Sequence, residues 1–234
     1  MNANEISKRL QEMGNQEDAR FLQGFFKTGP GQYGEGDIFL GIRVPAVRRL
    51  AREYKVLPFK EVLFLLKSPY HEIRLFALIS LVNAFATADE SAKNKIYEFY
   101  LANTRYINNW DLVDLSAPNI VGRYLFTKSR KPLYKLAKSQ NLWERRIAVL
   151  STFYFIKNNQ FDDSLQTVEI LLKDKEDLIH KAAGWMLREI GKRDLETAEL
   201  FLRKHCRTMP RTMLRYAIER FSPGQRKRFL EAKA

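Results

Sequence analysis

The 234 residues carry 40 Lys and Arg against 27 Asp and Glu, a net charge of +13. Hydrophobic residues at 45% and aromatics at 12% exclude a disordered chain, and the length accommodates one large domain or two small ones. The cationic surplus favours a polyanionic partner, because each phosphate contact releases condensed counterions.

In chain order, residues 1–20 are polar and mixed in charge, with no apolar core of a signal segment. Ile6–Met13 and Ala19–Phe26 read as two short amphipathic helices. Gly29-Pro-Gly-Gln-Tyr-Gly-Glu-Gly36 then breaks the pattern. A phosphate-cradling loop needs a strand before it and Lys-Ser/Thr after it, and neither is present. The segment reads as a linker within reach of a ligand. From Val44 the spacing predicts helices over Val44–Tyr54, Phe59–Lys67, His71–Ala86, Glu90–Thr104, Asn109–Leu115, Pro118–Thr127 and Pro132–Ser139. It continues with Leu142–Lys157, Asp163–Leu172, Asp177–Gly191, Leu195–Cys206, Arg211–Phe221 and Pro223–Ala232. Sustained period-two alternation is lacking, so no sheet is expected. The most apolar run, Leu75–Phe85, is far shorter than the ~20 residues of a membrane span. Cys206 is a lone cysteine and forms no internal disulfide, which suits a reducing cytoplasm. The expected location is therefore cytoplasmic, in a prokaryotic-type cell and near its nucleoid.

A higher period underlies the helices. His71-Glu-Ile-Arg-Leu-Phe-Ala77, Leu142-Trp-Glu-Arg-Arg-Ile-Ala148, Asp177-Leu-Ile-His-Lys-Ala-Ala183 and Arg211-Thr-Met-Leu-Arg-Tyr-Ala217 share a polar entry, a basic residue and a small Ala in an apolar stripe. The alanines are 71, 35 and 34 positions apart, as in stacked two-helix repeats of the HEAT-like kind. The expected fold is all-α, an α-α superhelix (solenoid) of HEAT-like helix pairs, with residues 1–234 as a single domain. The copy missing between Ala77 and Ala148 centres near position 113, inside Trp110-Asp-Leu-Val-Asp114. Arg74, Arg145, Arg146, Lys181 and Arg215 fall in the equivalent inner-helix slots, which predicts a concave basic groove with an acidic, aromatic interruption at its middle. Such a groove suits a duplex backbone, and Arg145 counts among the DNA-binding residues.

On a helix, Trp110 and Asp114 face the same way. A carboxylate beside an indole suits stabilisation of a developing cation, whereas the plainer reading makes Trp110 core and pairs Asp114 with an arginine. His71, His180 and His205 are scattered, so no metal or other cofactor is expected. Neither a nucleophile elbow nor a Cys/His dyad signature occurs. Trp143, Phe153 and Phe155 read as packing residues, while Tyr154 can edge into the groove.

Asn109-Trp-Asp-Leu-Val-Asp114 followed by Pro118 and Gly122 resembles the active-site segment of the AlkD-type DNA alkylation repair glycosylases. Phe39-Leu-Gly-Ile-Arg43-x-Pro45, Asn141-Leu-Trp-Glu-Arg-Arg146 and His180-Lys-Ala-Ala-Gly-Trp185-x-Leu-Arg188-Glu189 resemble that family in the same order. The resemblance implies HEAT-like helix pairs and a monomeric DNA glycosylase acting on cationic alkylpurines of the 3-methyladenine and 7-methylguanine type. Its partner is double-stranded DNA with alkylated bases, without metal, membrane or obligate protein partner. Asp114 would be the catalytic carboxylate. Trp110 and Trp185 would pack on the deoxyribose of the damaged nucleotide. Arg146 would hold a phosphate beside the lesion, with Lys181 and Arg188 reaching others. The family is thought to excise without a deep base pocket. One departure stands out, because Asn109 occupies a position where tryptophan is known in the family. Relatives that bind damaged or branched DNA without excision supply the alternative function.

Overall fold

The computed structural model describes residues 2–54 and 57–231. By its contacts the chain divides into two compact units, Met1–Ser116 and Ala117–Ala234. The described residues contain no strand beyond an isolated bridge between Ile38 and Tyr70, so the fold is all-α, as expected.

In the first unit, α1 (Ala3–Glu12) begins with a capping box in which Asn2 and Glu5 bond each other's backbone N–H. Asn15 caps α2 (Gln16–Phe25) by accepting the Asp18 N–H at 3.0 Å. Pro45 sits in the first turn of α3 (Val44–Glu53), where its missing N–H costs nothing. α4 (Phe59–Leu66) and α3 both pack on α5 (His71–Thr87). Every residue of α5 from His71 to Leu81 is buried, so this helix is the axis of the unit and its amphipathic pattern is erased. Asp89 caps α6 (Glu90–Ala102), which also packs on α5. A 3₁₀ turn at Thr104–Tyr106 leads to α7 (Trp110–Ala117).

The second unit opens with a single π turn, Pro118–Gly122, and the short α8 (Arg123–Leu125). Pro118, in the first turn, brings no N–H to the helical ladder. The remaining helices are α9 (Lys131–Ala137), α10 (Leu142–Lys157), α11 (Asp162–Ile170), α12 (Asp177–Gly191), α13 (Leu195–His205), α14 (Arg211–Ala217) and α15 (Pro223–Glu231). α10, α12 and α14 pack side by side, while α9 and α11 back α10 and α13 backs α12. This is the two-layer packing that the 34–35-residue spacing predicts. Ala77, Ala148, Ala183 and Ala217 are all buried, as is Val113 in the slot of the missing copy. The tightest approach belongs to glycines instead. A Cβ on Gly184 would lie 2.4 Å from the Met213 carbonyl oxygen, and one on Gly122 would lie 2.2 Å from that of Ser151.

The helices expected from Val44 onward occur within a few residues of their expected ends, except that Pro118–Thr127 divides into the π turn and α8. The expected end of the last helix at Ala232 lies outside the described residues.

Candidate active site

Phe39 to Ile42 owe their course to Glu72, a carboxylate buried to 2% exposure in the first turn of α5. Its two oxygens accept the backbone N–H groups of Leu40 (2.8 Å), Gly41 (2.8 Å) and Ile42 (3.1 Å). Gly41 has φ of +82°, and a Cβ there would lie 2.0 Å from the Asn15 carbonyl oxygen, so only glycine fits. The glycine-rich segment before it folds back on the chain. Gly34 donates its N–H to the Lys27 carbonyl at 3.1 Å and has no room for a Cβ against Phe26. This fold-back delivers Asp37 to the interior, at 4% exposure.

Asp37 is the centre of a buried polar cluster. Its carboxylate pairs with Arg74, accepts from Asn109 Nδ2 at 3.0 Å, and meets His71 Nδ1 at 3.1 Å. His71 Nε2 lies 2.8 Å from Asp111 Oδ2. Burial opposes charge on His71, but the charge and hydrogen bond of Asp111 and the hydrogen bond of Asp37 outweigh it, and its pKa rises to about 9. The imidazolium therefore donates from both nitrogens. Burial likewise opposes charge on Asp37, yet His71, Arg74 and Asn109 hold its carboxyl below the ordinary value. Two carboxylates and two cations leave the cluster formally neutral.

This cluster sets the start of α7. Asn109 is fully buried, and its carbonyl accepts the Val113 N–H at 3.2 Å while its side-chain oxygen accepts the Trp110 N–H at 2.8 Å. Asp111 Oδ1 accepts the Leu112 N–H at 2.9 Å. Leu112, Val113, Ser116 and Ala117 are buried, whereas Trp110, Asp111, Asp114 and Leu115 stay half-exposed. Trp110 and Asp114 thus lie one turn apart on the half-exposed face of α7, with Trp110 packed against the core cluster of Ala19, Phe26 and Phe39. One face of the Trp110 indole stacks on Phe26 (5.1 Å, 13°), which stacks on Phe39 (4.8 Å), which stacks on His71 (4.4 Å). The charge of Asp114, with burial as the larger cause, pushes the Tyr100 hydroxyl pKa upward.

The second unit holds the other residues singled out from the sequence. Trp185 is half-exposed on α12, with its ring beside Phe153 at 5.5 Å and its Nε1–H donated to Glu189 at 3.1 Å. Lys181 pairs with Asp177 at 2.7 Å, and Arg188 pairs with Glu219. Arg146 is only 5% exposed and donates to the Leu178 carbonyl at 2.6 Å, tethering the first turn of α12. Arg145, whose position suggests a groove contact, is bonded to the loop before its helix. Its guanidinium spans both oxygens of Asp174 (2.6 and 3.4 Å) and the carbonyls of Ser139 (3.0 Å) and Gln140 (2.9 Å). Arg74 repeats this clasp on the Ser68 (2.9 Å) and Pro69 (3.2 Å) carbonyls and is itself buried. His180 donates to the Asp174 carbonyl at 2.6 Å. In each case the residue in that repeat slot holds the carbonyl six positions back. The residue in this slot serves the loop before α5, α10 and α12, and the burial of Arg74 corrects the expectation that it lines a groove.

A profile of the family described as DNA alkylation repair enzyme matches residues 6–221. The chain belongs to that family. Among solved structures, a predicted DNA alkylation repair enzyme from Enterococcus faecalis superposes with a TM-score of 0.69 at 16% identity, over 90% of this chain and 98% of the other. AlkD2 from Streptococcus mutans superposes with a TM-score of 0.55 at 15% identity, over 95% and 100% of the two chains. The protein smu.31 from Streptococcus mutans UA159 follows at 0.51 and 15% identity, over 98% of each. No curated protein matches the chain.

Membership in the DNA alkylation repair family accords with the resemblance carried by the α7 segment. The buried cluster behind that segment was not foreseen. From the sequence His71 reads as one of three scattered histidines, and the linker ends at Gly36, one residue before Asp37. The available signal was the Glu72-supported Phe39–Pro45 motif, whose glycine at 41 marks a chain pinned against α2 and α5.

Proposed function

We propose that this DNA alkylation repair protein is a glycosylase that hydrolyses the N-glycosidic bond of cationic alkylated purines in duplex DNA. The observation that supports it is the half-exposed face of α7, which presents Trp110 and Asp114 one turn apart while Leu112 and Val113 between them are buried. Asp111, on the same face, is bonded to His71 and belongs to the scaffold. Alkylation at N3 or N7 makes the purine cationic, so it leaves with the electron pair of the C1′–N bond and needs no general acid. The sugar passes through an oxocarbenium-like state, as in glycoside hydrolysis. The Asp114 carboxylate stabilises that charge and orients the water that adds to C1′, whose proton passes to solvent. The indole of Trp110 favours the same cation through its quadrupole, by about 0.5 to 2 kcal/mol.

For the second unit the reading assigns Trp185 to the deoxyribose and Arg146, Lys181 and Arg188 to phosphates. Arg145 is assigned to positioning the loop of Asp174. The test is release of methylated base from alkylated duplex by the wild-type protein and by Asp114→Asn. Loss of release in the variant with retained DNA binding supports the assignment, and equal release overturns it. No release by the wild-type protein, with tight binding to branched DNA, favours a binding role without excision. Monomeric state and cytoplasmic location belong to the same proposal.

A further inference from the structure

The family relation accounts for α7 and leaves unexplained why α2 keeps two large aromatic rings in solvent. Only Ala19 of that helix is buried, while Phe21 and Phe25 are 61% and 55% exposed. They lie four residues apart on one face, with ring planes 14° from parallel and centroids 6.3 Å apart. Phe25 meets the Trp110 ring edge-on at 6.1 Å, so the pair continues the accessible face of α7. Arg43, with a side chain 62% exposed and paired with Asp18, holds its guanidinium 6.0 Å from the Phe21 centroid.

We propose that Phe21 and Phe25 form a stacking platform for an unpaired nucleobase of the DNA. This inference rests on the family's DNA repair role and not on excision by Asp114. Two near-parallel, stacked rings beside a guanidinium offer an exposed π face to a base and a charge to the phosphate next to it, and the net charge of +13 complements the strand. The recess behind the platform explains why the face of the base is held and not its edge. This cavity, of about 220 Å³, is lined by Phe25, Phe26, Phe39, Arg43, His71 and Asp111 among others. His71 and Asp111 bond each other, and the Glu72 oxygens accept three backbone N–H groups, so a base edge pushed inward would leave polar atoms unmatched. Contact through π faces requires no such partners and tolerates any base.

The test uses the full chain with a duplex carrying one bulged 2-aminopurine and with its fully paired counterpart, neither of them alkylated. Binding is read by anisotropy and stacking by 2-aminopurine fluorescence. The bulged duplex is expected to bind more tightly and to change its fluorescence on binding. Phe21→Ala should weaken the bulged complex at least about five-fold, the lower end of base–aromatic stacking. It should leave the paired complex unchanged, and Phe21→Trp should restore the preference. Equal weakening on both duplexes, or none on either, overturns the platform. So does a wild-type dimer that Phe21→Ala dissociates, which would give this face to a second copy. Failure of Asp114-dependent excision, measured separately on alkylated DNA, would leave the fluorescence result standing.

Discussion

His71 Nε2 and Asp111 Oδ2 are 2.8 Å apart across 40 residues of chain, joining the first turn of α5 to the first turn of α7. With Asp37 on the other ring nitrogen, this bond holds a buried imidazolium behind the helix that presents Trp110 and Asp114.

The pKa of His71 is raised from 6.5 to about 9, which fixes a pH dependence. A group whose folded pKa is raised stabilises fully below its unfolded pKa, and that contribution is lost as pH climbs through the folded value. Stability should therefore decline between pH 6.5 and about 9, by an amount on the order of 3 kcal/mol. In His71→Gln this decline should vanish in denaturant titrations. A slope that persists in the variant would place its origin elsewhere.

Asp37 works in the opposite direction, because its folded pKa is depressed. Its contribution is present above the unfolded value of 3.8 and lost as pH falls through the folded one. Asp37→Ala leaves Arg74 and His71 without their shared carboxylate, and such breaks in buried ion pairs cost about 3–5 kcal/mol. Thermal unfolding at neutral pH measures that loss. An effect below about 1 kcal/mol would show that the cluster relaxes.

Replacing Asn109 by the tryptophan known in the family should damage this protein. Asn109 is fully buried and bonded to Asp37 and to the Trp110 N–H, and Gly34 packs against it. Asn109→Trp removes both bonds and overfills the site, at a cost of about 1–3 kcal/mol or more. Circular dichroism melts should fall by several degrees. A melt unchanged from wild type would mean that an indole fits there.

Arg145 and Lys181 should separate stability from DNA affinity. Arg145→Ala opens the clasp on Asp174, Ser139 and Gln140 and should lower stability while leaving the salt slope of DNA binding unchanged. Lys181 is 41% exposed, and Lys181→Ala should leave stability within about 0.5 kcal/mol and reduce the salt slope by about one. The reverse pattern would exchange the two roles.

Gly184→Ala places a Cβ 2.4 Å from a backbone oxygen of α14 and 2.6 Å from the Tyr216 Cβ. Neither atom is the end of a flexible side chain, so α12 and α14 must separate, at a cost of roughly 1–3 kcal/mol. A neutral effect on the melting temperature would show that this contact can yield.

Helices and repeat spacing were legible because they depend on neighbours three, four and about 35 positions away. The four alanines and Val113 are buried as that spacing requires. The α7 face was legible for the same reason, with Trp110 and Asp114 one turn apart. The buried cluster was not, since Asp37 meets its partners 34, 37 and 72 residues away, and no local pattern records such pairings. The arginines misled for a physical reason. Arg74 and Arg145 sit in polar, helix-opening positions that look solvent-facing, yet carbonyls of the preceding loop turn their guanidinium groups inward.

The six-residue clasp at Arg74, Arg145 and His180 gives three of the modules, those of α5, α10 and α12, a fastener of their own. A chain assembled from self-fastened modules can exchange the residues on its outward faces, as long as each joint stays closed. New surface residues can therefore be grafted onto those modules one at a time, with the clasps kept as the fixed part of the design.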